Sequence, residues 1–259
     1  MRRTRQLSGA DADRGVSEVI AFVLVFGIIF GSVALISVTG LQAMESYQEN
    51  EQLQNAERAM GALADNFNDV MRYDGIEERY GELALQGGGV GTGSDGTQLN
   101  ITVDGEPLDS SSYFGNEFDG VANDGVVTLG EFRYEHGSDE IAYDGGAVVR
   151  ASEGSDGTNS AMLEGPHLKY NNETKTAVIS LVSIDADDRS IQSDENLGFT
   201  MNVDERSSAV ADIDDGHNLT VELEGESRYK DAWEDELEDW EDVDAERVII
   251  TIAEVEIDR

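Results

Sequence analysis

The stretch VSEVIAFVLVFGIIFGSVALISVTGL, residues 16–41, decides the architecture of this chain. No charge occurs from Val19 to Leu41. At 1.5 Å rise per residue that run makes about 35 Å of α-helix, enough to cross a bilayer with some tilt. The run is too long for an ordinary core helix, and a secretory signal has a shorter apolar part followed by a small-residue cleavage site. Upstream stand Arg2, Arg3, Arg5 and Arg14, while the chain downstream is strongly acidic. That asymmetry puts the N-terminus in the cytoplasm and the remainder outside the cell.

Working outward, the junction Arg14-Gly15-Val16-Ser17-Glu18-Val19-Ile20 combines charge, glycine and apolar helix in that order. It resembles the class III signal peptide of archaeal type IV pilin-like proteins, and the wording RGVSEVIAF resembles a group of uncharacterised haloarchaeal pilin-like surface proteins. The resemblance covers about the first 30 to 40 residues. It implies a leader peptidase that cuts between Gly15 and Val16, before the apolar stretch, so that the helix is retained, anchors the subunit and packs with other pilins. Bacterial pilins place Glu at the fifth mature position, and many haloarchaeal ones carry Pro at the third; here Glu18 would be third. Two readings of Glu18 stay open: it pairs with a neighbouring subunit's new amino terminus, or it sits at headgroup level without a partner. Gly27 and Gly31 form a GxxxG on one helix face, where two backbones can approach closely, although glycine is common in such helices.

Beyond the apolar run, Leu53, Ala56, Met60, Leu63, Phe67 and Val70 recur at spacings of three and four. This predicts a continuous helix from Val16 to about Tyr73, roughly 85 Å long, whose outer part packs on its own domain rather than in a free coiled coil. The glycine-rich segment 86–96 contains a GxGxxG at Gly91, Gly93 and Gly96. A strand-like segment follows it instead of a helix, so it reads as a flexible turn, between helix and β-domain or within a hairpin, and not as a dinucleotide site. Strands are predicted at 98–103, 126–135, 140–143, 146–151, 160–170, 175–184, 197–203, 208–212, 218–223 and 247–257, punctuated by Asp-Gly and Asn-Asn turns, with the last one central. One late helix carries Tyr229, Trp233, Leu237 and Trp240 at helical spacing. Its aromatic side is expected to pack on the sheet, and a carbohydrate or partner site is the rarer alternative. The fold class is therefore α+β: a long membrane-spanning helix, then a mainly antiparallel, sandwich-like β-domain with one late helix. The expected divisions are a leader at 1–15, a transmembrane helix at 16–41, a helical stalk at 42–73 and an acidic extracellular β-domain at 74–259.

The formal charge of −38, from 55 acidic and 17 basic residues, excludes nucleic acid and anionic lipid as partners of the outer domain. With 39% hydrophobic residues in strand-like runs, this is a folded domain and not a disordered polyanion. Its acid reads as the hydrated surface of a protein from an extreme halophilic archaeon, where salt screens self-repulsion. There is no Cys, so packing alone must hold the exported domain. His136, His167 and His217 are isolated, and Asp212-Ile213-Asp214-Asp215-Gly216 does not match a calcium loop. No cofactor or metal is expected. Sequons at Asn100, Asn172 and Asn218 are candidate glycosylation sites. The leading expectation is a non-enzymatic, membrane-anchored pilin-like surface protein, such as a minor pilus subunit or adhesin. Its partners would be the lipid bilayer at residues 16–41, the leader peptidase, and itself or other pilins. A monomeric membrane-tethered binding or sensor module and a membrane-anchored hydrolase are the alternatives.

Overall fold

A single helix, α1 (Ala10–Arg72), carries both the apolar stretch and the segment predicted to follow it. It contains no Pro, and beyond Leu41 good helix formers such as Ala, Glu, Gln and Leu dominate. Arg206 closes its C-terminal end by donating from Nη2 to the carbonyl oxygens of Val70 (2.5 Å) and Ile76 (3.2 Å). A cation there satisfies orphan carbonyls and suits the negative end of the helix dipole. The computed structural model describes residues 10–73, 75–84, 87–94, 96–154, 157–192, 196–213 and 218–258. Residues 1–9 of the predicted leader, and Asp214, Asp215, Gly216 and His217 of the acidic cluster, lie outside them. Two compact units divide between Gln52 and Leu53. The first holds the apolar stretch. In the second, the residues from Leu53 to the end of α1 form part of the β-domain's core rather than a separate stalk.

After α1 the chain forms β1 (Glu78–Ala84), β2 (Gly89–Gly93), β3 (Gln98–Val103), β4 (Glu106–Pro107), β5 (Val126–Thr128) and β6 (Glu131–His136). Then come β7 (Asp139–Asp144), β8 (Ala147–Gly154), β9 (Gly157–Glu164), β10 (His167–Asn171) and β11 (Thr176–Asp185). β12 (Arg189–Gln192), β13 (Asn196–Asp212), β14 (Leu219–Glu224), α2 (Lys230–Leu237), a 3₁₀ turn (Glu238–Trp240) and β15 (Arg247–Asp258) complete the order. A five-stranded sheet runs β1-β13-β15-β11-β10, a six-stranded sheet β12-β2-β6-β7-β8-β9, and a small sheet β14-β3-β4 with β5 also on β3. The β11–β15 pair is parallel and every other pair antiparallel among the described residues. The α+β class and the central place of the last strand are as the sequence predicts.

Four expectations need correction. The predicted strand 126–135 breaks at Gly130, which has φ +63° and where a Cβ would lie 2.0 Å from the Ile184 carbonyl oxygen. Only glycine fits that conformation and that approach. The predicted strand 160–170 breaks at Gly165-Pro166, because Pro has no N–H to give a ladder. Conversely, 197–203 and 208–212 belong to one strand, β13, bent by a bulge between Val203 and Glu205 and exchanging its β1 pairing for β15 along its length. Finally, residues 89–93 are not a flexible turn. They form β2, paired on both sides, and the Arg133 side chain crosses the space where Gly91 would carry a Cβ.

The domain buries two apolar clusters. One gathers Leu53, Ala56, Met60, Leu63, Phe67 and Val70 from α1 against Phe132, Tyr143, Val148, Val182, Phe199, Met201 and Val255. The spacing of three and four therefore marks a helix face packed on its own strands. The other joins β3, β11, β14 and β15 to the late helix. Along β15, Val248, Ile250 and Ile252 enter this second cluster, and Ala253 and Val255 the first. Opposite faces of one strand are thus covered in turn, which explains its nearly continuous apolar sequence.

Candidate functional site

In the first unit the chemistry is that of surface alone. Glu18–Leu41 is long and apolar enough to span a membrane. Its large apolar side chains from Val19 to Leu41 are 48–69% exposed among the described residues. A contiguous exposed apolar surface of this extent marks contact with lipid or protein. Phe22, Phe26 and Phe30 make one aromatic ridge, with centroid separations of 5.5 and 4.6 Å. Among the described residues nothing lies within 4 Å of where Gly27 and Gly31 would carry a Cβ, so their face is open. Glu18 lies exposed at the start of the span, and Gly15 and Val16 lie within α1.

The sequons separate by position. Asn172 lies in the exposed turn between β10 and β11, and Asn218 is exposed just before β14. Asn100 is half-buried inside β3, and its Oδ1 is shut off from solvent 2.8 Å from where Gly125 would carry a Cβ. An amide needs open space to carry a glycan, which Asn172 and Asn218 have.

In the β-domain the aromatic residues of the late helix are interior, so they line no open carbohydrate site: Tyr229, Trp233, Leu237 and Trp240 are all buried. Trp233 Nε1 donates to Asp144 Oδ2 (2.8 Å), and the Thr97 hydroxyl donates to the same oxygen (2.5 Å). Asp144 is fully buried, and burial raises its carboxyl to about 6 despite these two bonds. The Tyr229 hydroxyl lies 2.5 Å from Glu140 Oε1 and 2.9 Å from Glu131 Oε2. Arg228 reaches Glu140 Oε2 at 2.5 Å, and Arg133 pairs with Glu131 and Glu135. Burial, then the Glu140 charge, raises the Tyr229 phenol well above its ordinary value. This network ties the start of α2 to β6 and β7. Neither the Asp144 nor the Tyr229 group has a signature in the sequence, because each joins residues about 90 positions apart.

Among the described residues three cavities open on the domain, one of them a wide polar one of about 370 Å³ beside Asp119, Asp185 and Glu254. A polar one of about 260 Å³ is lined by Glu135, Asp139, Glu140, Glu153 and Arg228 among others. A less polar one of about 320 Å³ lies where β12, β2 and β6 meet β13 and β15. Among the described residues no group of three or more His, Asp or Glu is placed to hold a metal ion.

A family of unknown function, DUF7289, matches residues 14–257. No curated protein and no solved structure matches the chain.

Proposed function

The chain belongs to this family of unknown function, DUF7289, and from that premise we propose that it is a non-enzymatic, membrane-anchored pilin-like surface protein. Its leader is removed between Gly15 and Val16. The helix from Val16 is retained in the membrane with its N-terminal side cytoplasmic, and the acidic β-domain stands outside the cell, glycosylated at Asn172 and Asn218. The carrying observation is the exposed apolar surface of Glu18–Leu41 on the same helix whose later residues are buried in the β-domain. A removable signal would have no reason to continue as a core element. The open Gly27 and Gly31 face next to the phenylalanine ridge supports association with other such helices in the bilayer.

Mass spectrometry of the protein purified from membranes tests the processing step. A mature chain beginning at Val16 is expected; one that keeps Met1 or Arg2 overturns it. Association is tested by replacing Gly27 and Gly31 with Leu and imaging cell-surface fractions. Loss of assemblies, with the protein still in the membrane, is the expected result.

A further inference from the structure

The 320 Å³ cavity has the construction of a small-molecule site. Its floor is Val90, Phe132, Leu197 and Phe199, each at most 5% exposed, and the two phenyl rings lie 4.8 Å apart. Its polar lining includes Arg189 from β12 and Asp258 at the end of β15, both exposed. These two charges come from different sheets and have opposite signs. Arg189 contacts Asp187 at 2.6 Å, but both side chains are more than half exposed, so this pair competes weakly with a ligand. Asp258 accepts one bond from Asn202 Nδ2 at 3.1 Å, and a carboxylate has further acceptor sites.

Each feature restricts the ligand. An apolar, aromatic floor with a few polar groups at the rim is the usual design of a ligand pocket, and about 320 Å³ is at the small end of the usual range of about 300–1,000 Å³. That size suits one compact molecule and not a lipid or a peptide. A ligand with a carboxylate alone would leave Asp258 unanswered and would approach a protein of charge −38 against its field. An amine alone would face Arg189. A zwitterion answers both charges and carries no net charge. We infer that this cavity binds a free apolar α-amino acid, with its side chain against Phe132 and Phe199, its carboxylate at Arg189 and its ammonium at Asp258. The site is independent of how the N-terminal helix is processed.

Calorimetry and ligand-observed NMR on the full chain in detergent micelles test this with L-leucine and L-phenylalanine. Glycine, isocaproate and isoamylamine serve as controls, lacking the side chain, the amine and the carboxylate of leucine respectively. Saturable leucine binding with a dissociation constant of about 1 mM or tighter is expected, with each control weaker by about tenfold or more. Arg189→Ala and Asp258→Asn should each weaken leucine binding about tenfold without moving the melting temperature, since both positions are exposed. Leu197→Trp fills the cavity and should abolish binding. Should that variant fail to fold, Ser190→Trp at the exposed rim carries the same test. The inference is overturned if leucine and phenylalanine do not bind saturably, if isocaproate or glycine binds as well as leucine, or if both charge variants bind leucine as the unaltered chain does.

Discussion

Two parts of one helix, α1, carry apolar residues in opposite circumstances. From Val19 to Leu41 they face every direction and every large one is exposed. From Leu53 to Met71 the large ones occupy one face and are buried. The pattern around the helix makes the difference. An all-round apolar surface cannot be covered by one domain, so it needs a surrounding apolar phase or many neighbours. A single stripe with polar residues behind it can be covered by one sheet. Hydrophobic content sets these segments apart, and the angular distribution decides how each can be covered.

The comparison breaks most readily at Phe67, which is fully buried and stacked on Tyr143 at 4.5 Å. Phe67→Ala should destabilise the β-domain by about 3–5 kcal/mol in denaturant unfolding. The same deletion at Phe26, nearly half exposed, should leave that unfolding within about 0.5 kcal/mol. Equal effects would mean that the two segments do not differ as described.

A second consequence of burial is electrostatic. Asp144 adjoins Tyr143, and its carboxyl is raised from 3.8 to about 6. A raised acid favours the protonated folded state. Its contribution to stability is therefore fully present below about pH 4 and is lost as pH rises through about 6. The shift corresponds to roughly 3 kcal/mol lost between those limits. Asp144→Asn should remove that pH-dependent component, seen as a flatter slope of unfolding free energy against pH from about 4 to about 7. An unchanged slope would contradict the burial.

The buried part of α1 also holds one polar residue, Asn68, whose Nδ2 donates to the Gly146 carbonyl (3.3 Å) and whose Oδ1 accepts from the Tyr143 hydroxyl (2.8 Å). Asn68→Leu leaves those groups without their partner inside the core and should cost about 1–3 kcal/mol. Tyr143→Phe in the same background should recover part of the loss, and a double-mutant cycle measures the coupling. The smallest effect is expected at the exposed Arg247–Asp212 pair (2.8 Å), where Asp212→Asn should leave the unfolding midpoint nearly unchanged, and more nearly so at high salt.

Much of this was legible in the sequence. The span, the stripe from Leu53 to Val70, the aromatic helix around Trp233 and the central last strand all rest on local periodicity. The missing strands had no such signal. Residues 78–84, ERYGELA, have little apolar alternation, and residues 89–93, GVGTG, look like loop. Both become strands because a partner supplies the ladder: β13 for β1, and β12 with β6 for β2. Gly81 is needed because the Phe199 ring lies across it, 2.5 Å from where a Cβ would stand. The sites were still less visible. Arg189 and Asp258 come together only at the meeting of two sheets, and Asp144 carries no mark of its burial.

The sequence by itself determined that this chain has a membrane-length apolar helix followed by an acidic β-domain, because helix length, angular pattern and charge are properties of neighbours along the chain. Only the tertiary structure decided which strands cover the later part of the helix, that β11 and β15 lie parallel, and that an apolar cavity opens between two sheets. Those outcomes depend on contacts between residues far apart in sequence, whose energies no local pattern records.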